Sequence, residues 1–182
     1  MANEMGSDSV GIYSVAYQVS SIMLLVGTSI NQAWSVSLFK LLGDGAIRNR
    51  KSIRQLMVAM IGLLMISFII IFSIQSYLFK ILIGNGFAES QQYFPFLLLS
   101  FLFQSIYFIF VNFDFYEERV IIIGITTLGV AIVNVAMNLI LIPEFGINGS
   151  AYAALTSMAL YMITVVLRVV FLNKSFRMVW II

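Results

Sequence analysis

The residues of this chain that can do chemistry are polar rather than reactive. There is no Cys and no His, so thiol nucleophiles, zinc clusters and the commonest general base are all missing. No GxSxG, P-loop, HExxH or Rossmann glycine pattern occurs. Neither an enzyme nor a metal or cofactor site is expected. What remains is a set of hydroxyl and amide side chains at helical spacing. Indexed at 100° per residue, Tyr13, Tyr17, Ser21, Thr28, Asn31 and Ser35 fall within about 80° of one another, with Gln18 and Gln32 widening the same side. Asn134 and Asn138 lie four apart and share a face. Such groups either hydrogen-bond neighbouring helices or line a cavity for a polar substrate. The length of the first stripe favours a cavity lining, and the two asparagines read more readily as interhelical contacts. Lys40 and Arg168 each close an apolar run. They are expected to snorkel to the interface, with contact to an anionic head group or phosphate as the alternative.

The elements that carry these residues must lie in a bilayer. Of 182 residues, 61% are hydrophobic and 10% charged, and mean hydropathy is +1.01. A soluble fold of this size leaves roughly 30% of its surface exposed and could not hide so much apolar area. A spanning helix needs about 20 mostly apolar residues. Five stretches qualify, over 10–42, 56–83, 93–113, 120–142 and 147–172. The expected fold is therefore all-α, a polytopic bundle of about five transmembrane helices. Residues 1–9 read as an external loop, 10–182 as one membrane domain, and 173–182 as a cytoplasmic tail. Gly84-Asn85-Gly86 is expected to end the second span, Asp114 to Arg119 to form a solvated loop, and Pro143 to stop the fourth span. No acid is expected in mid-span. The aromatics Phe101, Phe103, Tyr107, Phe108, Phe110, Phe113 and Phe115 read as lipid-facing bulk and an interfacial belt, and Gly124, Gly129 and the run Gly149-Ser150-Ala151 with Ala153 and Ala154 as small residues that allow close helix approach.

Charge orients the bundle. Net charge is +2, too small and too dispersed for nucleic-acid binding. Lys40, Arg48, Arg50, Lys51 and Arg54 follow the first span, and Arg168, Lys174 and Arg177 surround the end of the last. Lys and Arg mark cytoplasmic loops. The amino end is then outside and the carboxyl end cytoplasmic. The basic cluster also suits anionic lipid phosphates, so membrane lipids are expected partners. No basic n-region precedes the first apolar run, which is natural for a carboxyl-terminal piece of a longer protein.

Two segments go beyond composition. One is Gly11-Ile12-Tyr13-Ser14-Val15-Ala16-Tyr17-Gln18, continuing to Asn31-Gln32-Ala33-Trp34-Ser35 and Phe39-Lys40. The other is Asn134-Val135-Ala136-Met137-Asn138-Leu139-Ile140-Leu141-Ile142-Pro143-Glu144-Phe145-Gly146-Ile147-Asn148-Gly149-Ser150-Ala151. In order and separation they resemble the O-antigen and capsule type polysaccharide flippases of the multidrug/oligosaccharidyl-lipid/polysaccharide exporter superfamily. The resemblance spans nearly the whole chain and implies a match to the last five spans of a twelve-span, two-lobed member. It implies translocation of undecaprenyl-diphosphate-linked oligosaccharide across the bacterial inner membrane by alternating access. The polar side of the first span would then be part of the sugar-facing wall. Further partners implied are an amino-terminal half and polysaccharide assembly proteins. Other readings are a drug or cation antiporter of the same superfamily, a non-functional gene remnant, and a membrane enzyme of glycan assembly.

Overall fold

The computed structural model describes residues 7–82 and 85–180, and the regular elements among them are helices without a strand. Five helices are long and apolar enough to cross a membrane, and the chain is a multi-pass membrane protein. Helices α1 (Ser7–Ser20) and α2 (Ile22–Gly43) form the first span. They join at Ser21, whose hydroxyl donates to the Gln18 carbonyl at 2.6 Å. Hydroxyl back-bonding of this kind perturbs a helix without ending it. The ladder runs on, with Ser21 N–H donating to Tyr17 O and Leu25 N–H to Ser21 O. The described helix already starts at Ser7, inside the segment expected to be a loop; 1–6 lie outside the described residues.

A short turn with Gly45 at φ +116 leads to α3 (Arg50–Ser73). Its first turns take in Arg50, Lys51 and Arg54, which had been expected in the loop. Asn49 closes this corner by donating its side-chain N–H to Leu41 O at 3.0 Å. The ladder breaks at Ile74, and α4 (Gln75–Leu82) precedes a 3₁₀ segment over Asn85–Gln92. Of the expected Gly84-Asn85-Gly86 helix end, Gly84 lies outside the described residues, and Asn85 and Gly86 open the 3₁₀ segment. Then come α5 (Phe94–Tyr116), α6 (Val120–Phe145), α7 (Ile147–Leu172) and the short α8 (Lys174–Trp180). Helix α6 runs past Pro143, because proline in a final turn forfeits only one bond of the ladder. The stop is Gly146, at φ 59 and ψ −139.

Helix α5 is the centre of the bundle. In its most apolar stretch 61% of residues are buried, against 6% for α6. It packs on α7 and α2 most extensively, and on α3 and α1 as well. This corrects the expectation for its aromatics: Phe101, Tyr107, Phe110 and Phe113 are buried, and Phe115 alone of the seven is classed as exposed. They turn inward because α5 has helices on several sides. Trp34 of α2 is fully buried against it and donates Nε1–H to Ile109 O at 2.9 Å. Small residues set the close approaches, but not all of those expected. A Cβ on Gly27 would overlap the Ser105 side chain, and one on Gly149 the Leu141 carbonyl, whereas Gly124 and Gly129 have open space around them on the outer face of α6.

Gly27→Ala is therefore expected to destabilise the α2–α5 contact by about 1–3 kcal/mol. Thermal unfolding in detergent micelles should show a lower midpoint. A Gly27→Ala, Ser105→Gly double variant should recover part of the loss.

A candidate polar site between the first and the last two spans

Tyr13, Tyr17, Asn134, Asn138, Ser150, Ala154 and Met158 line a cavity of about 270 Å³. Helix α1 supplies the tyrosines, α6 the asparagines, and α7 the rest. The two tyrosines are one helical turn apart, with ring centroids 6.4 Å apart. Tyr13 leans on Tyr93 at 6.3 Å and Tyr17 meets Phe101 edge-on at 5.2 Å. These contacts hold the rings against α5 and its entry and leave Tyr17 46% exposed.

The amides divide the work. Asn134 donates to Ser157 Oγ at 2.8 Å, a bond between α6 and α7. Asn138 donates to Asn134 O at 2.8 Å and to its Oδ1 at 3.2 Å. Asn138 Oδ1 and Ser150 Oγ are buried and have no partner. Ser150 had been counted only among the small packing residues. Other helical hydroxyls bond a carbonyl three or four residues back, as Ser21 does to Gln18 O at 2.6 Å and Ser157 to Ala153 O at 2.6 Å. The fourth residue back from Ser150 is Gly146, which sits at the turn and outside helical geometry. Ser150 is one of the residues that line the cavity.

The rest of the first-span stripe does other things. Ser21, Thr28 and Ser35 donate to carbonyls three residues back on their own helix, Gln18, Leu25 and Gln32. Asn31 accepts from Asn112 of α5 at 2.7 Å, an interhelical bond. So the structure brings Tyr13 and Tyr17 together with Asn134 and Asn138, and leaves Ser21, Thr28, Asn31 and Ser35 off the cavity.

Lys40 and Arg168 lie towards the other end of the bundle. Lys40 is exposed in the last turn of α2. Arg168 is committed to protein groups. Its Nε and Nη2 donate to Asp114 Oδ2 at 3.1 and 2.5 Å, and Nη1 donates to Thr126 Oγ1 at 2.6 Å. Asp114 is 0% exposed, which corrects its placement in a solvated loop. Helix α5 continues through Tyr116, so Asp114 sits in its last turns and faces inward. Asn173 donates to Asp114 Oδ1 at 3.1 Å and accepts from Phe176 N–H at 2.9 Å. Glu117 accepts from Ser175 N–H at 2.6 Å and pairs with Arg119 at 2.7 Å.

Between the ion pair and the cavity the α6–α7 seam carries further rungs. Tyr161 Oη is 2.6 Å from Thr127 Oγ1 and donates to Tyr107 Oη at 2.9 Å. Below them comes Asn134 with Ser157. The signal in the sequence was the spacing on α7: Ser150, Ser157, Tyr161 and Arg168 recur at intervals of seven and four, which is one helix face. Among the described residues no cluster of His, Cys, Asp or Glu could hold a metal ion. No family model, curated protein or solved structure matches the chain.

Removing one partner of the buried ion pair strands a charge, at a cost of about 3–5 kcal/mol. Asp114→Ala and Arg168→Ala should each lower the unfolding midpoint sharply. An Asp114→Leu, Arg168→Met double variant should fall well short of the sum of the two losses. Additive losses in a double-mutant cycle would show that the pair is not coupled.

Proposed function

We propose that this chain takes part in moving undecaprenyl-diphosphate-linked oligosaccharide across the bacterial inner membrane, with the cavity as part of the sugar-facing wall. One observation carries the reading. The two segments that resemble the polysaccharide flippases, 11–18 and 134–151, are far apart in sequence and meet at this cavity. They provide five of its seven lining residues: Tyr13, Tyr17, Asn134, Asn138 and Ser150. Aromatic rings beside amides and a hydroxyl suit a neutral, hydroxyl-rich ligand, because each sugar hydroxyl both donates and accepts. The other readings have less support. A free acid in mid-membrane would favour the antiporter, and Asp114, the buried acid among the described residues, is paired with Arg168. The acids Asp44, Glu89, Glu117, Glu118 and Glu144 lie at helix ends or between helices.

Charge supplies the orientation. Of the ten Lys and Arg residues, Lys80 alone belongs to the end that holds the cavity; the others are near the ends of α2, α5 and α7, the starts of α3 and α6, or on α8. By the Lys/Arg rule the opposite end, which holds those nine, is cytoplasmic, and the amino end is outside. The cavity then opens nearer the outer leaflet. Lys40, exposed on the cytoplasmic side, is the candidate for contact with the diphosphate.

The test is transbilayer exchange of a fluorescent undecaprenyl-diphosphate-linked oligosaccharide in proteoliposomes, read by quencher access. The chain should accelerate exchange over protein-free vesicles, and Tyr17→Ala and Asn138→Leu should slow it roughly tenfold, the loss of about one hydrogen bond or ring contact each. Exchange at the protein-free rate, or rates unchanged in both variants, overturns the reading.

A further inference from the structure

We infer that this chain pairs with a second copy of itself through the outward face of its first span, with glutamines of the two copies bonding each other inside the membrane. Spacing sets the face. Gln18, Leu25 and Gln32 recur every seven residues, and Ile22, Ser29 and Val36 recur every seven between them. Alternating steps of four and three keep all six on one side of a helix. Five of the six are exposed, and Ile22 is half-buried. The exposed sides of α3 and α6 carry aliphatic side chains such as Ile66, Ile70, Ile132 and Leu139, as lipid requires. The first span instead exposes two carboxamides. Among the described residues neither the Gln18 nor the Gln32 side chain has a hydrogen-bond partner. Their main-chain carbonyls accept from the Ser21 and Ser35 hydroxyls, and those bonds leave the amides unused.

Both glutamines fall at hydrocarbon depth. The first span runs over Val10–Gly43. At 1.5 Å per residue Gln18 lies about 13 Å to one side of its middle and Gln32 about 8 Å to the other, inside an apolar core about 30 Å thick. A carboxamide without a partner is expensive there. Three features make a second copy the partner. A carboxamide both donates and accepts, so two identical ones satisfy each other. Charge orients every copy the same way, with nine of the ten Lys and Arg residues at one end. A twofold axis along the membrane normal then sets equal depths against each other, Gln18 opposite Gln18 and Gln32 opposite Gln32. The seven-residue repeat is that of a parallel pair of helices, in which matching positions meet across the seam. Ser29, between the two amides, is small enough to let the helices come close. No charge occurs between Val10 and Phe39 to oppose the contact. The cavity is a separate feature, since Tyr17 lies about 100° round the helix from Gln18. The inference therefore does not rest on the translocation reading.

The test mixes donor- and acceptor-labelled batches of the purified full chain in phosphatidylcholine–phosphatidylglycerol liposomes and follows energy transfer as lipid dilutes the protein. The transfer should fit a two-copy equilibrium. A Gln18→Leu, Gln32→Leu variant should need roughly tenfold more protein per lipid to pair. It removes no side-chain bond within the chain, so its unfolding midpoint in micelles should be retained. A Gln18→Asn, Gln32→Asn variant keeps both carboxamides and should hold most of the pairing. The chain has no Cys, so single cysteines report position. With copper phenanthroline as oxidant, Ser29→Cys and Val36→Cys should cross-link between copies, and Ile132→Cys on α6 should not. A chain that stays single at every density overturns the inference and leaves the face to a different partner. Pairing unchanged in the leucine variant, or cross-linking at Ile132 equal to that at Ser29, overturns it as well.

Discussion

The Asp114–Arg168 pair is the interaction on which the arrangement of the later helices depends. It lies in an apolar bundle, where an unpaired charge is far more costly than in water. Every oxygen of Asp114 is used: Oδ2 by Arg168 and Oδ1 by Asn173. Arg168 in turn reaches Thr126. One carboxylate thereby ties α5 to α7, to the start of α8 and, through the guanidinium, to α6. Arg54 of α3 closes the same end by donating to Val179 O at 2.7 Å and stacking over Trp180 at 5.1 Å. Helix α8 is thus clamped at its start by Asp114 of α5 and by Glu117 just after it, and at its end by a cation of α3.

Helix α6 shows why those polar ties matter. It buries almost nothing in the bundle, so packing against α5 cannot hold it. In a bilayer there is little hydrophobic drive for two helices to associate, and close contact and hydrogen bonds do the work. Along α6 these are Thr126 with Arg168, Thr127 with Tyr161, and Asn134 with Ser157. Each is modest alone, at about 0.6 kcal/mol on average for such bonds in membranes, but all three lie on the same face. The outward face carries Ile121, Ile125, Leu128, Ile132, Val135 and Leu139, as a lipid-facing helix should.

Five spans are legible in the sequence because a 20-residue apolar run has few soluble explanations. Their order in depth is not. The stretches that became α5 and α6 both lack charge over some 20 residues, yet one is the core and the other the periphery. The difference lies in which other helices surround them, and a single sequence does not record that. Asp114 was misplaced for the same reason. At the edge of an apolar run it reads as a loop residue, and its partner is 54 positions away. The candidate site was half legible. Helical spacing put Tyr13 on a face with Tyr17, and Asn134 on one with Asn138. It also grouped Ser21, Thr28 and Ser35 with them. A hydroxyl can satisfy itself on its own helix, and an amide cannot do so completely, so the shared face overstated the lining. Ser150 was hidden within Gly149-Ser150-Ala151, where small size explains its presence. What singles it out is that its hydroxyl, unlike those of Ser21 and Ser157, bonds no carbonyl three or four residues back.

Polar satisfaction is therefore uneven along the α6–α7 seam. Towards the ion pair each described rung is closed. At the cavity the last two members, Asn138 Oδ1 and Ser150 Oγ, have no hydrogen-bond partner. Parting the helices at the first end would strand a carboxylate and a guanidinium. Parting them at the cavity breaks no bond across the seam beyond Asn134. The turn at Gly146 joins the helices at that same end and fixes their separation there. The covalent link thus stands in for the hydrogen bonds that are missing, and it frees two polar groups in the one place where the seam does not need them to hold together.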